Sequence, residues 1–395
     1  MNISLVDVAK SLAPTISANL EQIDSDRKLP PALADSMIRE KLLSLYVPKT
    51  LGGPELDPIT AFYVVEEISK IDGSAGWCCF NGTAVTAAVS RIAVEATKEI
   101  FGDPPDISGS GSARPGGTAT LTSGGYLVSG RWNYLSGIDH SKCLFLNCYI
   151  ANGNRQIMSE DGTPVTRMVI LPVESGTVLE TWMTIGMRGT ASNDAEYHNV
   201  FVPDSHTYAR GGPSYHDGPL YNPQTTVLIG WTLAAANALG MARGAMNAFV
   251  DLATGTGSTN SRTLLRDRSS VQTTVGESEA IIDGARHYVL GAVETMWDSL
   301  LQETSDLQEK GLRSRLAITH AIRESIRAVD MLFCAAGTNA IHNSFGLERF
   351  FRDLHVIGQH ISGLHANYEF GGQMLLGAEL NSSTVGKSDS FCKLK

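Results

Sequence analysis

The segment Phe345 to Ile361, F-G-L-E-R-F-F-R-D-L-H-V-I-G-Q-H-I, concentrates two arginines, two acids and two histidines in an otherwise apolar part of the chain. At 3.6 residues per turn it would make about five turns of helix. An imidazole titrates near neutral pH and can take a proton from a substrate or hydrogen-bond to it. His355 and His360 stand five residues apart, about 140° around a helix, so they share no face and are not a metal-binding pair. With no H-E-x-x-H and no cysteine cluster, no metal site is expected. A second segment, G-R-W-N-Y-L-S-G-I-D-H from Gly130 to His140, sets Tyr134 and Ser136 two residues apart. On a strand they share a face, where an aromatic ring and a hydroxyl support a flat ring and hydrogen-bond its edge. Trp77 and Asn81, in the small, apolar run S-A-G-W-C-C-F-N-G-T-A-V-T, either face a ligand with Trp231 as part of an apolar pocket or serve tight helix packing.

The elements that carry these residues follow from composition and periodicity. The 395 residues are 43% hydrophobic and 18% charged, with a formal net charge of −10, which fits a globular chain of several packed layers. That charge argues against nucleic acid as a partner. There is no signal-like N-terminus and no long apolar run, so no membrane is expected and the protein is expected in the cytoplasm, with its six scattered cysteines reduced. Up to about residue 107 the apolar residues recur at helical spacing: Leu33, Met37 and Ile38 behind Pro30-Pro31, then Ile59, Phe62, Val65 and Ile68 behind Asp57-Pro58. After Asp103-Pro104-Pro105, short alternating runs between glycine-rich turns predict an antiparallel β domain of about seven strands. Long helices return after Pro223, the first rich in alanine and glycine so that neighbours can approach closely. The expected organisation is α+β, with an N-terminal helical domain (1–107), a central antiparallel β domain (108–220) and a C-terminal four-helix bundle (221–395).

Taken in order, L-P-P-A-L-A-D-S-M, L-Y-V-P-K-T-L-G-G, G-S-A-R-P-G-G-T-A, S-G-R-W-N-Y-L-S-G-I-D-H, W-M-T-I-G-M-R-G-T-A-S-N-D and E-R-F-F-R-D-L-H make nearly the whole chain resemble the acyl-CoA dehydrogenase fold superfamily. More narrowly it resembles the flavin-dependent monooxygenase branch, which holds hydroxyphenylacetate hydroxylase oxygenase components, dibenzothiophene monooxygenase and amino-sugar N-oxygenases. The resemblance implies that Tyr134 lies near the isoalloxazine ring and Ser136 within reach of its N5 edge, with Ser110 and Ser112 on the pyrimidine side. It also implies phosphate contact across a subunit boundary from arginines preceding a glutamine-bearing helix, here Arg262, Arg266 and Arg268 before Gln272. Guanidinium groups match phosphate bidentately.

The dehydrogenases of this superfamily use a glutamate base, and its usual position falls here on Ile361; the alternative position on the first bundle helix also lacks an acid. His360 stands beside that gap, where the monooxygenase branch has a histidine. The resemblance therefore implies the oxygenase component of a two-component system. Reduced flavin (FMN or FAD), delivered by a separate NAD(P)H-dependent flavin reductase, would react with O2 to form a C4a-hydroperoxyflavin. A small aromatic or amine substrate would then be hydroxylated or N-oxygenated, with His360 and Ser136 as the catalytic residues and a homotetramer as the assembly. Two alternatives stay open: an FAD-dependent desaturase of CoA or carrier-protein thioesters with a base from elsewhere, such as Glu369, and a catalytically silent oligomer that keeps the fold without flavin.

Overall fold

The computed structural model describes residues 4–255 and 264–378. Seven helices open the chain: α1 (Leu5–Ser11), α2 (Ala13–Ala18), α3 (Leu20–Asp26), α4 (Pro31–Arg39), α5 (Pro58–Ser69), α6 (Gly73–Thr86) and α7 (Val94–Phe101). Their starts are written locally. Pro31 begins α4, and Asp57 accepts from the backbone N–H groups of Ile59 and Thr60 at 3.0 and 2.9 Å ahead of Pro58. Asp72 caps α6 through the N–H of Ala75 at 2.8 Å.

The strands are β1 (Gly109–Thr122), β2 (Gly125–Leu135), β3 (Cys143–Asn152), β4 (Arg155–Gln156), β5 (Thr166–Pro172), β6 (Thr177–Leu179), β7 (Asn193–Pro203) and β8 (Thr207–Tyr208). They form one sheet in the order β6-β7-β2-β1-β3-β5-β8, with β4 paired to β3. The expected antiparallel pairing holds except at the centre, where β1 and β3 run parallel. After the β1–β2 hairpin, the connection from 136 to 142 carries the chain to the other side of β1. Side-chain alternation is the same in both kinds of ladder, so the run of residues does not distinguish them.

Three long helices follow: α8 (Thr226–Gly255), α9 (Ser269–Leu301) and α10 (Leu307–Ala336), with the shorter α11 (Leu347–Ile357) and α12 (Asn367–Leu376) packed on α10. The segment expected to be a five-turn helix ends after 11 residues at Ile357. Gly358 lies so close to α10 that a Cβ there would stand 2.7 Å from the Ile326 side chain, and the chain leaves the helical path into a short turn over Ile361–Gly363. His360 precedes that turn and is not helical, so the 140° relation to His355 does not apply.

The opening helices and the bundle share one apolar core, with α5 and α6 packed along α8, while the two faces of the sheet are covered by separate clusters. Within the first core, Arg286 of α9 makes a bidentate pair with the buried Glu66 of α5 at 2.6 and 2.9 Å. No helix among the described residues is long and apolar enough to cross a membrane.

Candidate active site

A cavity of about 1950 Å³ lies where α6, the start of α8, the end of β2 and the turn after α11 meet the sheet. Trp77 and Asn81, four residues apart and so on one face of α6, both reach the segment just past β2. The Trp77 indole N–H donates to Ser136 Oγ at 3.0 Å, and Asn81 Nδ2 donates to the Ser136 carbonyl at 2.9 Å. Each side chain lines the cavity and also holds its wall.

Ser136 is 7% exposed and sits one residue beyond β2. Tyr134 is 63% exposed, with φ at +61°, a left-handed conformation uncommon for a residue with a side chain. That reversal breaks strand alternation, so the two residues do not share a strand face as expected. They line one cavity nonetheless, Tyr134 edge-on to Trp182 with ring centroids 6.2 Å apart.

From Ser136 a line of hydroxyls runs along the cavity wall, which Ser192 and Thr190 also line. Ser136 Oγ lies 2.7 Å from Ser192 Oγ, which lies 2.6 Å from Thr190 Oγ1, whose proton goes to the Met187 carbonyl at 2.8 Å. Met187 and Ala191 also have positive φ, at 52° and 43°, so this stretch is held in sparsely populated backbone conformations by its surroundings. One clamp is the carboxylate of Asp353, which accepts from the Met187 N–H.

His360 faces the same cavity. Its ring stands edge-on to Trp77, centroids 5.1 Å apart, and to Phe80 at 6.1 Å, so Trp77 touches both His360 and Ser136. The backbone N–H of Ser362 points at His360 Nδ1 at 3.3 Å, with the Ser362 hydroxyl at 2.7 Å. An N–H can only donate, so Nδ1 is the acceptor and the neutral ring carries its proton on Nε2. Enclosure by protein pulls its pKa down to about 4. Near neutral pH His360 is therefore an N–H donor rather than a base poised to titrate.

Other expected positions separate. Ser112 and Trp231 line the cavity, the latter backed by the Arg315 guanidinium 5.2 Å from its ring. Ser110 is fully buried in β1, makes no hydrogen bond through Oγ and does not reach the cavity, so its expected contact with a ring is withdrawn. Arg268 precedes α9 and Gln272 lies on its first turn, where Gln272 Nε2 donates to the Arg266 carbonyl at 3.0 Å. Neither lines this chain's cavity, and Arg262 falls outside the described residues. Glu369 is exposed on α12, hydrogen-bonded from Gln373 and away from the cavity, which removes it as a candidate base. Ile361 does reach the wall, beside His360. His355 pairs with Asp330 at 2.9 Å, and no metal-holding cluster occurs among the described residues.

Residue-by-residue reading missed Asn147. It lines the cavity from β3 at 2% exposure; its Nδ2 donates to the Ala113 carbonyl at 2.9 Å, and its Oδ1 has no partner. The signal was present, a lone amide in the apolar run C-L-F-L-N-C-Y-I. Ser192 and Thr190 carried no such mark, because nothing in sequence spacing brings them to Ser136.

Sequence models of the acyl-CoA dehydrogenase N-terminal and C-terminal domains match residues 6–103 and 232–363. An indole-3-acetate monooxygenase of Pseudomonas putida is 29% identical over 365 residues, covering 92% of this chain and 91% of its own. The flavin-dependent monooxygenase oxygenase subunit HsaA of Mycobacterium tuberculosis is 26% identical over 387 residues, covering 93% and 95%. Among solved structures, XiaF from a Streptomyces species, in complex with FADH2 and glycerol, superposes with a TM-score of 0.86 at 25% identity, covering 97% of this chain and 96% of its own.

Proposed function

The chain belongs to the acyl-CoA dehydrogenase family, and from that premise we propose that it is the oxygenase component of a two-component flavin-dependent monooxygenase acting on a small aromatic substrate. The observation that carries this reading is the His360–Trp77–Ser136 constellation in a cavity to which the described residues bring no base of the dehydrogenase kind. The one carboxylate among the described lining residues, Asp161, lies in the 159–163 turn, hydrogen-bonded by Ser159 and Thr163. Full-length similarity to monooxygenases of aromatic compounds supports the same reading.

The residues present fit a flavin. About 1950 Å³ exceeds the room one drug-sized ligand needs, which is at most about 1000 Å³, so it has space for a cofactor and a substrate together. The unpartnered Asn147 Oδ1 is a buried acceptor suited to the imide N–H of the ring, and Ser136, which lines the same cavity, would meet its N5 edge. When bound and reduced, a flavin supplies the electrons that activate O2. The chain's residues hold the ring, keep water away and orient the substrate: Trp77, Phe80 and Trp231 give the cavity apolar walls, and His360 donates its Nε2 proton in a hydrogen bond to oxygen or to substrate.

Reduced flavin would come from a separate reductase. Arg268, which lies away from its own chain's cavity, would reach the phosphate of a neighbouring subunit in a homotetramer. In the test, the purified protein is mixed anaerobically with photoreduced FAD, then with O2 and a panel of phenols and indoles. A transient absorption distinct from oxidised flavin, oxygenated product and a light-scattering mass of four chains are expected. Failure to bind reduced FAD, or bleaching of bound oxidised FAD by an acyl thioester, would overturn the proposal.

A further inference from the structure

The line of hydroxyls that runs from Ser136 along the cavity wall has a direction, fixed by counting protons. The Trp77 indole at one end can only donate, and the Met187 carbonyl at the other can only accept. Between them stand three hydroxyls with one proton each. Every link is made in a single arrangement: Trp77 gives to Ser136, Ser136 to Ser192, Ser192 to Thr190 and Thr190 to Met187. Turning the Ser136 proton into the cavity would require Ser192 to donate to Ser136 and Thr190 to donate to Ser192. The bond from Thr190 to Met187 would then be lost and the buried line would be one link short, although the Met187 carbonyl keeps the Trp182 indole N–H at 2.8 Å. Ser136 has therefore already committed its proton, and its remaining capacity on the cavity side is a lone pair.

Resting on the flavin reading above, we infer that Ser192 and Thr190 are positioning residues that hold Ser136 Oγ as a hydrogen-bond acceptor, so that the site prefers a flavin whose N5 carries hydrogen over one whose N5 is a bare acceptor. The ring nitrogen of oxidised flavin has a lone pair and meets another lone pair, whereas that of reduced flavin bears N–H and finds its acceptor. An oxygenase supplied with reduced flavin by a partner gains from this bias, since it takes up the reduced form and lets the spent, oxidised form go. One hydrogen bond of this kind corresponds to about tenfold in affinity.

The test measures anaerobic dissociation constants for FAD and for photoreduced FAD in the wild type, in Ser192→Ala and in the near-isosteric Thr190→Val. Each variant lets the Ser136 proton turn toward the cavity. The ratio of oxidised to reduced dissociation constants should fall about tenfold in both. The midpoint potential of the bound flavin should become more negative by about 30 mV, the equivalent of tenfold for a two-electron couple. Ser192→Thr, which restores a hydroxyl, should keep the wild-type ratio. If both variants weaken the two redox states equally, the residues are merely structural and the inference is overturned while flavin binding stands. If the wild type binds neither state, the functional reading falls and this inference with it.

Discussion

At the scale of single residues, His360 is defined less by being a histidine than by what surrounds it. The Ser362 N–H fixes Nδ1 as acceptor, and enclosure holds the pKa at about 4. A catalytic base at pH 7 would need the opposite arrangement, a free nitrogen lone pair facing the substrate and a pKa near the working pH. His360→Ala is therefore expected to lower substrate oxygenation about 10²–10³-fold, the usual cost of removing one preorganised donor. His360→Gln, whose amide can still donate, should recover part of the loss. The wild-type rate should show no titration attributable to His360 between about pH 5.5 and 8, because its proton-binding step lies lower. A break near the ordinary histidine value that disappears in His360→Gln would assign it a base instead.

At the scale of elements, the position of α6 decides whether Trp77 reaches Ser136, and α6 is set by how closely α5 and α8 approach. Gly240 of α8 permits that approach: a Cβ there would stand 2.6 Å from both the Glu66 carbonyl oxygen and Ser69 Cβ on α5. Backbone cannot yield as a side-chain tip can, so Gly240→Ala must push the helices apart. The expected cost is about 1–3 kcal/mol, the usual range for overpacking a filled core, measured by chemical denaturation. Gly284→Ala on α9, where no atom lies within 4 Å of the would-be Cβ, is the control and should be neutral or slightly stabilising. Equal effects at the two sites would refute the packing account. The alanine- and glycine-rich run pointed to close packing from the sequence, but which glycine meets which backbone did not follow from it.

At the scale of the whole molecule, buried titratable groups tie stability to pH in opposing directions. His140 and His360 are both held down to about 4 by burial, against an ordinary value of 6.5. Between those values the unfolded chain binds the extra protons, so their contribution is complete above about pH 6.5 and is lost as pH falls through 4. Asp353, pushed up to about 7 by burial and the nearby Asp72, acts the other way: its contribution is present on the acid side and is lost as pH rises through 7. A His140→Asn, His360→Gln double variant should therefore lose less stability than the wild type between pH 7 and 4.5. The difference should be roughly 1–3 kcal/mol in denaturant titrations, reduced by the partly open edge of His360. An unchanged acid limb would show that these histidines are not buried neutral in solution.

The sequence alone determined the helical, β, helical order of the chain, the starts of α4 and α5 at their prolines and the kinship with flavin enzymes. These are properties of local pattern and of motif order, which no distant contact can alter. It also placed Trp77, Asn81, Ser112, Ser136, Trp231 and His360 among the candidates, and all six line one cavity. The tertiary structure decided the rest. The positive φ of Tyr134, the break of the last-segment helix at Gly358, the parallel β1–β3 pair and the meeting of Ser136 with Ser192 across 56 residues depend on atoms supplied by remote parts of the chain. A hydroxyl reads the same in sequence whether it donates or accepts; its direction here is fixed by an indole on one side and a carbonyl on the other, brought together only by the fold.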